Sequence, residues 1–272
     1  MGGNCRPLFY QFKIRGLPIQ YLTTPLFSFF WGLCIGSFLN VCLFRWKSGG
    51  QVFTPPSFCP RCKNEIRWFD NIPVLSFVLL KGHCRHCDQS ISWQYPLVEV
   101  VTGLSFWFCA FNASGQLTIQ MSSFVFVSFL ILLVVSDLKW KLLPHPFTNL
   151  FALAGCLFQI VDKSFNFSNF YIVASGFIVI GALIFALTQI FPEVLGGGDI
   201  KMVLALSIWL GVVKSAYVLV LAFGIGALVA LVLLLAKKVN RKSTMPFGPF
   251  LALGAFGMWF CPNLFDYLRI TL

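Results

Sequence analysis

The sequence predicts an all-α polytopic membrane protein with about eight transmembrane helices and one small polar domain between the first two. Three observations predict this. Of 272 residues, 58% are hydrophobic and only 11% are charged, whereas a water-soluble domain carries about 25% charged residues. The apolar residues gather into runs, several long enough to cross a bilayer as helices, which takes about 20 residues. The single sizeable polar stretch, residues 45–96, holds two C-x-x-C pairs and reads as a cytosolic zinc-binding loop domain.

The net charge of +11 invites a nucleic-acid partner, but the basic residues form no stripe with interleaved aromatics. They lie in short loops between apolar runs, as orientation signals do. The expected surroundings are therefore membrane lipids, with no nucleic acid bound.

In chain order, residues 1–20 form an extramembrane lead with Arg6, Lys13 and Arg15, and residues 21–44 the first helix. No small-residue cleavage site follows that run convincingly, so it is expected to stay in the protein. The stretch from Gly36 to Val41 suits close helix packing, and Asn40 is expected to make an interhelical hydrogen bond. Residues 97–262 form a seven-helix membrane domain and residues 263–272 a tail. Within the membrane domain the apolar runs are 97–111, 117–135, 147–161, 170–191, 200–213, 215–236 and 246–260. Pro144-His145-Pro146 forbids continuation of the 117–135 helix. No internal repeat is evident.

In the polar domain, Cys59-x-x-Cys62 and Cys84-x-x-Cys87 have 21 residues between them. Four thiolates so spaced suit a tetrahedral, structural Zn²⁺ site; the competing reading is a pair of disulfides, which needs an oxidising compartment. The segment also carries seven lysines and arginines, which places it on the reducing, cytosolic side. His83 and His86 then read as loop residues, since four thiolates complete the coordination.

The 200–213 run decides the topology. If it crosses, 14 of the 20 basic residues face the cytosol; if it is re-entrant, the division falls to 10 against 10. Crossing wins. Fourteen residues reach only ~21 Å of a ~30 Å core, so the preceding Gly196-Gly197-Gly198-Asp199 is expected as a recessed loop lining a wet cavity. Asp137, at the end of the 117–135 helix, is positioned to share it. Two carboxylates about 4 Å apart repel by ~4 kcal/mol at an effective dielectric near 20. Such a pair holds one proton and provides one base and one acid for peptide hydrolysis. The bland alternative is two aspartates accepting hydrogen bonds at helix ends.

The sequence also resembles the type IV prepilin peptidases, a group of Gly-x-Gly-Asp intramembrane aspartic proteases. The likeness is carried by Gly36–Val41, both cysteine pairs, Asn71–Ser76, Tyr95–Glu99, Asp137 with Leu143-Pro144, Gly196–Lys201 and Pro246–Leu251. It covers nearly all of residues 36–257. The resemblance implies a bacterial inner-membrane enzyme whose catalytic residues are Asp137 and Asp199. Its substrates would be type IV prepilins or type II secretion pseudopilins, cut behind a basic leader at the cytosolic face. It also implies methylation of the new N-terminus with S-adenosylmethionine, an activity associated with the 45–96 loop. Relatives commonly carry Asp where this chain has His145, which bears on a supporting acid and leaves Asp137 in place. Glu65, Asp70, Asp88, Glu99 and Glu193 are the acids available to a basic leader, with Glu65 and Asp88 read as solvated surface. The competing function is a cation-coupled transporter or zinc-regulated scaffold using the same two aspartates.

Overall fold

The computed structural model describes residues 20–49, 56–113, 117–161, 167–190, 196–238, 240 and 245–260. The expected N-terminal lead up to residue 19, the tail at 263–272, Glu193, and Arg241 and Lys242 of the basic hinge lie outside the described residues. Eight α-helices follow in order: α1 Gln20–Ser48, α2 Leu75–Leu79, α3 Gln94–Asn112, α4 Leu117–Trp140, α5 His145–Val161, α6 Phe167–Ile190, α7 Gly197–Leu235 and α8 Gly248–Phe260. Among the described residues there is no strand, only two isolated bridges within the polar loop. Thr24–Ser48, Leu117–Trp140 and Gly197–Leu235 are long and apolar enough to cross a membrane. Large apolar side chains such as Phe27, Ile178, Phe185, Leu228 and Leu235 stay more than half exposed, as lipid-facing residues do.

The expected 200–213 and 215–236 helices form one assigned element, broken at Gly211 rather than at Lys214. Gly211 has φ 76° and ψ 178°, a combination essentially confined to glycine. The break reverses the chain. Before it, Gly198 lies against Leu143 and Trp209 against Trp259 at the far end of α8. After it, Val218 packs on Gly254 and Gly226 on Phe250, back towards the start of α8. Residues 197–210 (α7a) thus run alongside α8, and residues 212–235 (α7b) return antiparallel to it. Counting α7 as two segments, α1, α3, α4, α5, α6 and α8 make eight apolar helical segments among the described residues, about the number expected.

Close packing follows the small residues. On α1, Gly32 and Gly36 stand four apart on one face. A Cβ on Gly32 would come within 2.8 Å of Gly103 Cα, and one on Gly36 within 2.7 Å of Glu99 Cα. Backbones at that separation gain dispersion contacts that larger side chains would prevent. Asn40 supplies the expected interhelical bonds: its Nδ2 donates to the Tyr95 carbonyl at 3.2 Å, and its Oδ1 accepts from Gln94 Nε2 at 3.3 Å. At the other end of the bundle Phe126, Phe151, Phe158, Trp209 and Trp259 form one aromatic cluster. Its buried indole Trp209 Nε1 donates to the Phe151 carbonyl at 2.9 Å.

Candidate active site and metal centre

Asp137 lies in the last turn of α4 and is 5% exposed. The helix continues past Val135 to Trp140 and ends where Lys141 turns to φ 52°. Ser136 Oγ donates to the Leu142 carbonyl at 2.7 Å, which folds residues 141–144 back over the helix end. Pro144 then accepts the Phe147 and Thr148 amides and starts α5. The folded-back segment delivers Leu143 to α7, where a Cβ on Gly198 would stand 3.0 Å from the Leu143 Cβ.

Asp199 does not lie in a loop. Gly196 is the N-cap of α7 and Gly197 and Gly198 are already helical, so Asp199 is the third residue of the helix. The Gly196 carbonyl accepts the Ile200 amide at 3.2 Å, and the Asp199 carboxylate bends back over the N-cap, its Oδ2 3.2 Å from where a Cβ on Gly196 would stand. An acid at the third helical position reaching back to the N-cap amide satisfies a donor the helix leaves free, and the macrodipole favours it. That local chemistry is why the expected loop is helix. The contact of Leu143 with Gly198 thus brings the end of α4, which carries Asp137, to the start of α7, which carries Asp199.

A third element reaches Asp137. The N–H of Gly248, the first residue of α8, donates to Asp137 Oδ2 at 2.8 Å, and a Cβ there would lie 2.8 Å from the same oxygen. The positive end of the α8 dipole therefore faces this carboxylate. Residue-by-residue chemistry missed Gly248. Its signals are the Pro246-Phe247-Gly248-Pro249 punctuation ahead of an apolar run and its place in the Pro246–Leu251 stretch that carries the resemblance. His145, which stands where relatives commonly carry Asp, places Nδ1 3.1 Å from Lys201 Nζ.

The polar loop contains two copies of one turn, a repeat not evident in the sequence. Lys63 N donates to the Cys59 carbonyl and Asp88 N to the Cys84 carbonyl; Cys59 N bonds Asn64 O, and Cys84 N bonds Gln89 O. The residue after each second cysteine, Lys63 and Asp88, has left-handed φ (61° and 55°). Bridges Phe58–Glu65 and His83–Ser90 close the two turns. Together they bring the Sγ atoms of Cys59, Cys62, Cys84 and Cys87 within 4.8 Å of one another, with no disulfide and neither histidine among them. Cys59 Sγ and Cys87 Sγ are 3.8 Å apart. Thiolates at ~2.3 Å around a tetrahedral Zn²⁺ would be separated by ~3.8 Å, so the donor set fits that ion.

Of the acids considered for the leader, one is engaged in an ion pair and another is buried. Asp70 forms a fork with Arg85 (2.8 and 2.6 Å), and that guanidinium holds its carboxyl below the usual carboxylate range. Glu99 is buried on α3, and its Oε2 accepts the Val74 N–H at 2.8 Å. Glu65 and Asp88 are exposed, as expected of solvated surface.

Residues 30–113 match the bacterial peptidase A24 N-terminal domain, and residues 124–231 match the type IV leader peptidase family. The chain is 34% identical over 255 residues to a prepilin leader peptidase/N-methyltransferase of Pectobacterium carotovorum subsp. carotovorum, covering 84% of this chain and 90% of that protein. It is 32% identical over 271 residues to a protein of the same name from Aeromonas hydrophila, covering 89% and 91%. It is also 31% identical to a type 4 prepilin-like proteins leader peptide-processing enzyme of Escherichia coli O78:H11, covering 89% and 95%. No solved structure matches the chain. These relatives carry the names of peptidases and not of transporters or scaffolds, and the chain belongs to the type IV leader peptidase family.

Proposed function

We propose that Asp137 and Asp199 are the catalytic pair of a membrane aspartic endopeptidase that removes the basic leader from type IV prepilins or type II secretion pseudopilins. What supports this reading is the contact of Leu143, in the segment folded back over the end of α4, with Gly198 in the first turn of α7, beside the two aspartates. One carboxylate takes a proton from water as its oxygen attacks the scissile carbonyl. The other, protonated, donates to the carbonyl oxygen and supports the tetrahedral intermediate. As that intermediate collapses, the C–N bond breaks and the leaving nitrogen takes up the proton. Gly248 N–H and the α8 N-terminus fix Asp137 while the charge moves.

Asp199 lies twelve residues before Gly211, about 18 Å of helix against ~30 Å of hydrocarbon, so the pair sits below the cytosolic surface of a bacterial inner membrane. In this reading residues 45–96 are the cytosolic domain and residues 97–262 the catalytic membrane domain. The four cysteines hold a structural Zn²⁺ that folds a segment too small for a core of its own. Following the relatives' second activity, the new N-terminus is methylated with S-adenosylmethionine, which supplies an electrophilic methyl group when bound.

Co-expression with a prepilin tests the pair. Asp137→Asn and Asp199→Asn each leave the precursor uncut on a gel while the purified variants keep their metal content. Unchanged processing by either variant overturns the assignment.

A further inference from the structure

Methylating a newly cut N-terminus needs a chamber for the donor, a group that receives the acceptor ammonium, and a route from the cleavage site. Two adjoining cavities and one buried acid lie away from the aspartates. A cavity of ≈ 640 Å³ lies between α1, α3 and the cysteine loop, within the roughly 300–1,000 Å³ of small-molecule sites. Glu99 lines it from α3 and is 7% exposed. The Val74 N–H bound to Oε2 orients the carboxylate. Of the other acids on the wall, Asp70 is tied to Arg85 and Glu65 is exposed. A second cavity of ≈ 260 Å³ shares Asn40, Phe44, Tyr95 and Lys139 with the first and adds Trp140. Trp140 stands one turn beyond Asp137 on α4. The two cavities thus form one groove from the end of α4 to Glu99.

We propose that this groove carries the new N-terminal amine from the aspartates into the loop cavity, where Glu99 binds it and takes its proton for methylation by a sulfonium donor held in the same cavity. The inference rests on the peptidase reading. The ammonium gives one proton to the Glu99 carboxylate, and the freed nitrogen lone pair attacks the sulfonium methyl carbon. A C–N bond forms, the C–S bond breaks, and its electron pair stays on sulfur, which leaves as a neutral thioether. Glu99 then returns its proton to solvent. A buried carboxylate suits this role because little water competes for the ammonium.

The test uses the full chain in lipid nanodiscs with a prepilin and S-adenosylmethionine. Glu99→Gln keeps an acceptor for the Val74 N–H but loses the negative charge. It is expected to cut within twofold of wild type, to methylate at least 100-fold more slowly, and to bind S-adenosylmethionine normally in equilibrium dialysis. Val41→Trp, which fills the cavity wall on α1, is expected to lose both methylation and donor binding while still cutting. Wild-type methylation by Glu99→Gln overturns the proposal. If that variant also stops cutting, Val41→Trp decides: donor binding at wild-type affinity overturns the cavity assignment. A wild-type protein that cuts without methylating overturns the inference alone; one that does not cut overturns the peptidase reading and this inference with it.

Discussion

Replacing one hydrogen atom at Gly248 tests how the Asp137 carboxylate is held. The residue is helical, so alanine suits its backbone, and helix propensity alone would stabilise the variant by roughly 0.5–1 kcal/mol. The new Cβ, however, would stand 2.8 Å from Asp137 Oδ2 and 3.2 Å from its Cγ, where ordinary contact begins at 3.4 Å. The carboxylate must retreat by at least 0.6 Å, the difference between 2.8 and 3.4 Å, and it loses the Gly248 N–H bond as it does. A hydrogen bond to a charged group contributes about 1.5–3 kcal/mol, and a displacement of about 1 Å can cost about 10²-fold in rate. Gly248→Ala is therefore expected to lower the cleavage rate about 100-fold, or ~2.7 kcal/mol, with metal content and thermal midpoint preserved. Gly257→Ala is the control, because a Cβ there meets nothing within 4 Å on the same helix. A time course of prepilin processing in nanodiscs reads the difference. Cleavage by Gly248→Ala within twofold of the control would refute the claim that cleavage depends on α8 holding the Asp137 carboxylate.

Two further outcomes follow from the same geometry. Gly211→Ala forces a side chain onto φ 76°, ψ 178° at a cost of about 1–3 kcal/mol, so its thermal midpoint in detergent should fall below wild type; an unchanged midpoint contradicts the chain reversal there. Cys84→Ser removes one of the four sulfurs, and the purified variant should lose its zinc by elemental analysis; a full equivalent retained would contradict the four-thiolate site.

The polytopic helical fold was legible because the bilayer demands long apolar runs and leaves little room for other solutions. The four-cysteine cluster was legible because thiolate spacing is local. What escaped depends on contacts remote in sequence or on competition at helix ends. The triple glycine reads as a flexible loop. Yet an acid at the third helical position caps its own N-terminus, and that chemistry wins over glycine's freedom at Gly197 and Gly198. The chain reversal moves from Lys214 to Gly211 because a charge is a weaker break than a residue free to take positive φ. Gly248 could not be found from its own surroundings, since its partner Asp137 is 111 residues away. Glu99 read only as an acid available to a basic leader because its burial depends on α1 crossing at Gly36 and on the loop amide of Val74.

The helical start of α7 changes how the aspartates are held. An aspartate on a glycine loop would have to be ordered at each encounter with substrate. Asp199 instead stands on a rigid segment fixed at both ends. At one end Gly198 abuts Leu143; at the other Trp209 is bonded to the Phe151 carbonyl and packed against Trp259. Asp137 is fixed in turn by the start of α8, the helix that carries Trp259. The same helix therefore clamps α7a at its far end and Asp137 at its near end, so rotation of α8 would disturb both supports. Helices hold side chains more closely than loops do, and here one helix supports both Asp137 and the segment that carries Asp199, through contacts at opposite ends of the bundle.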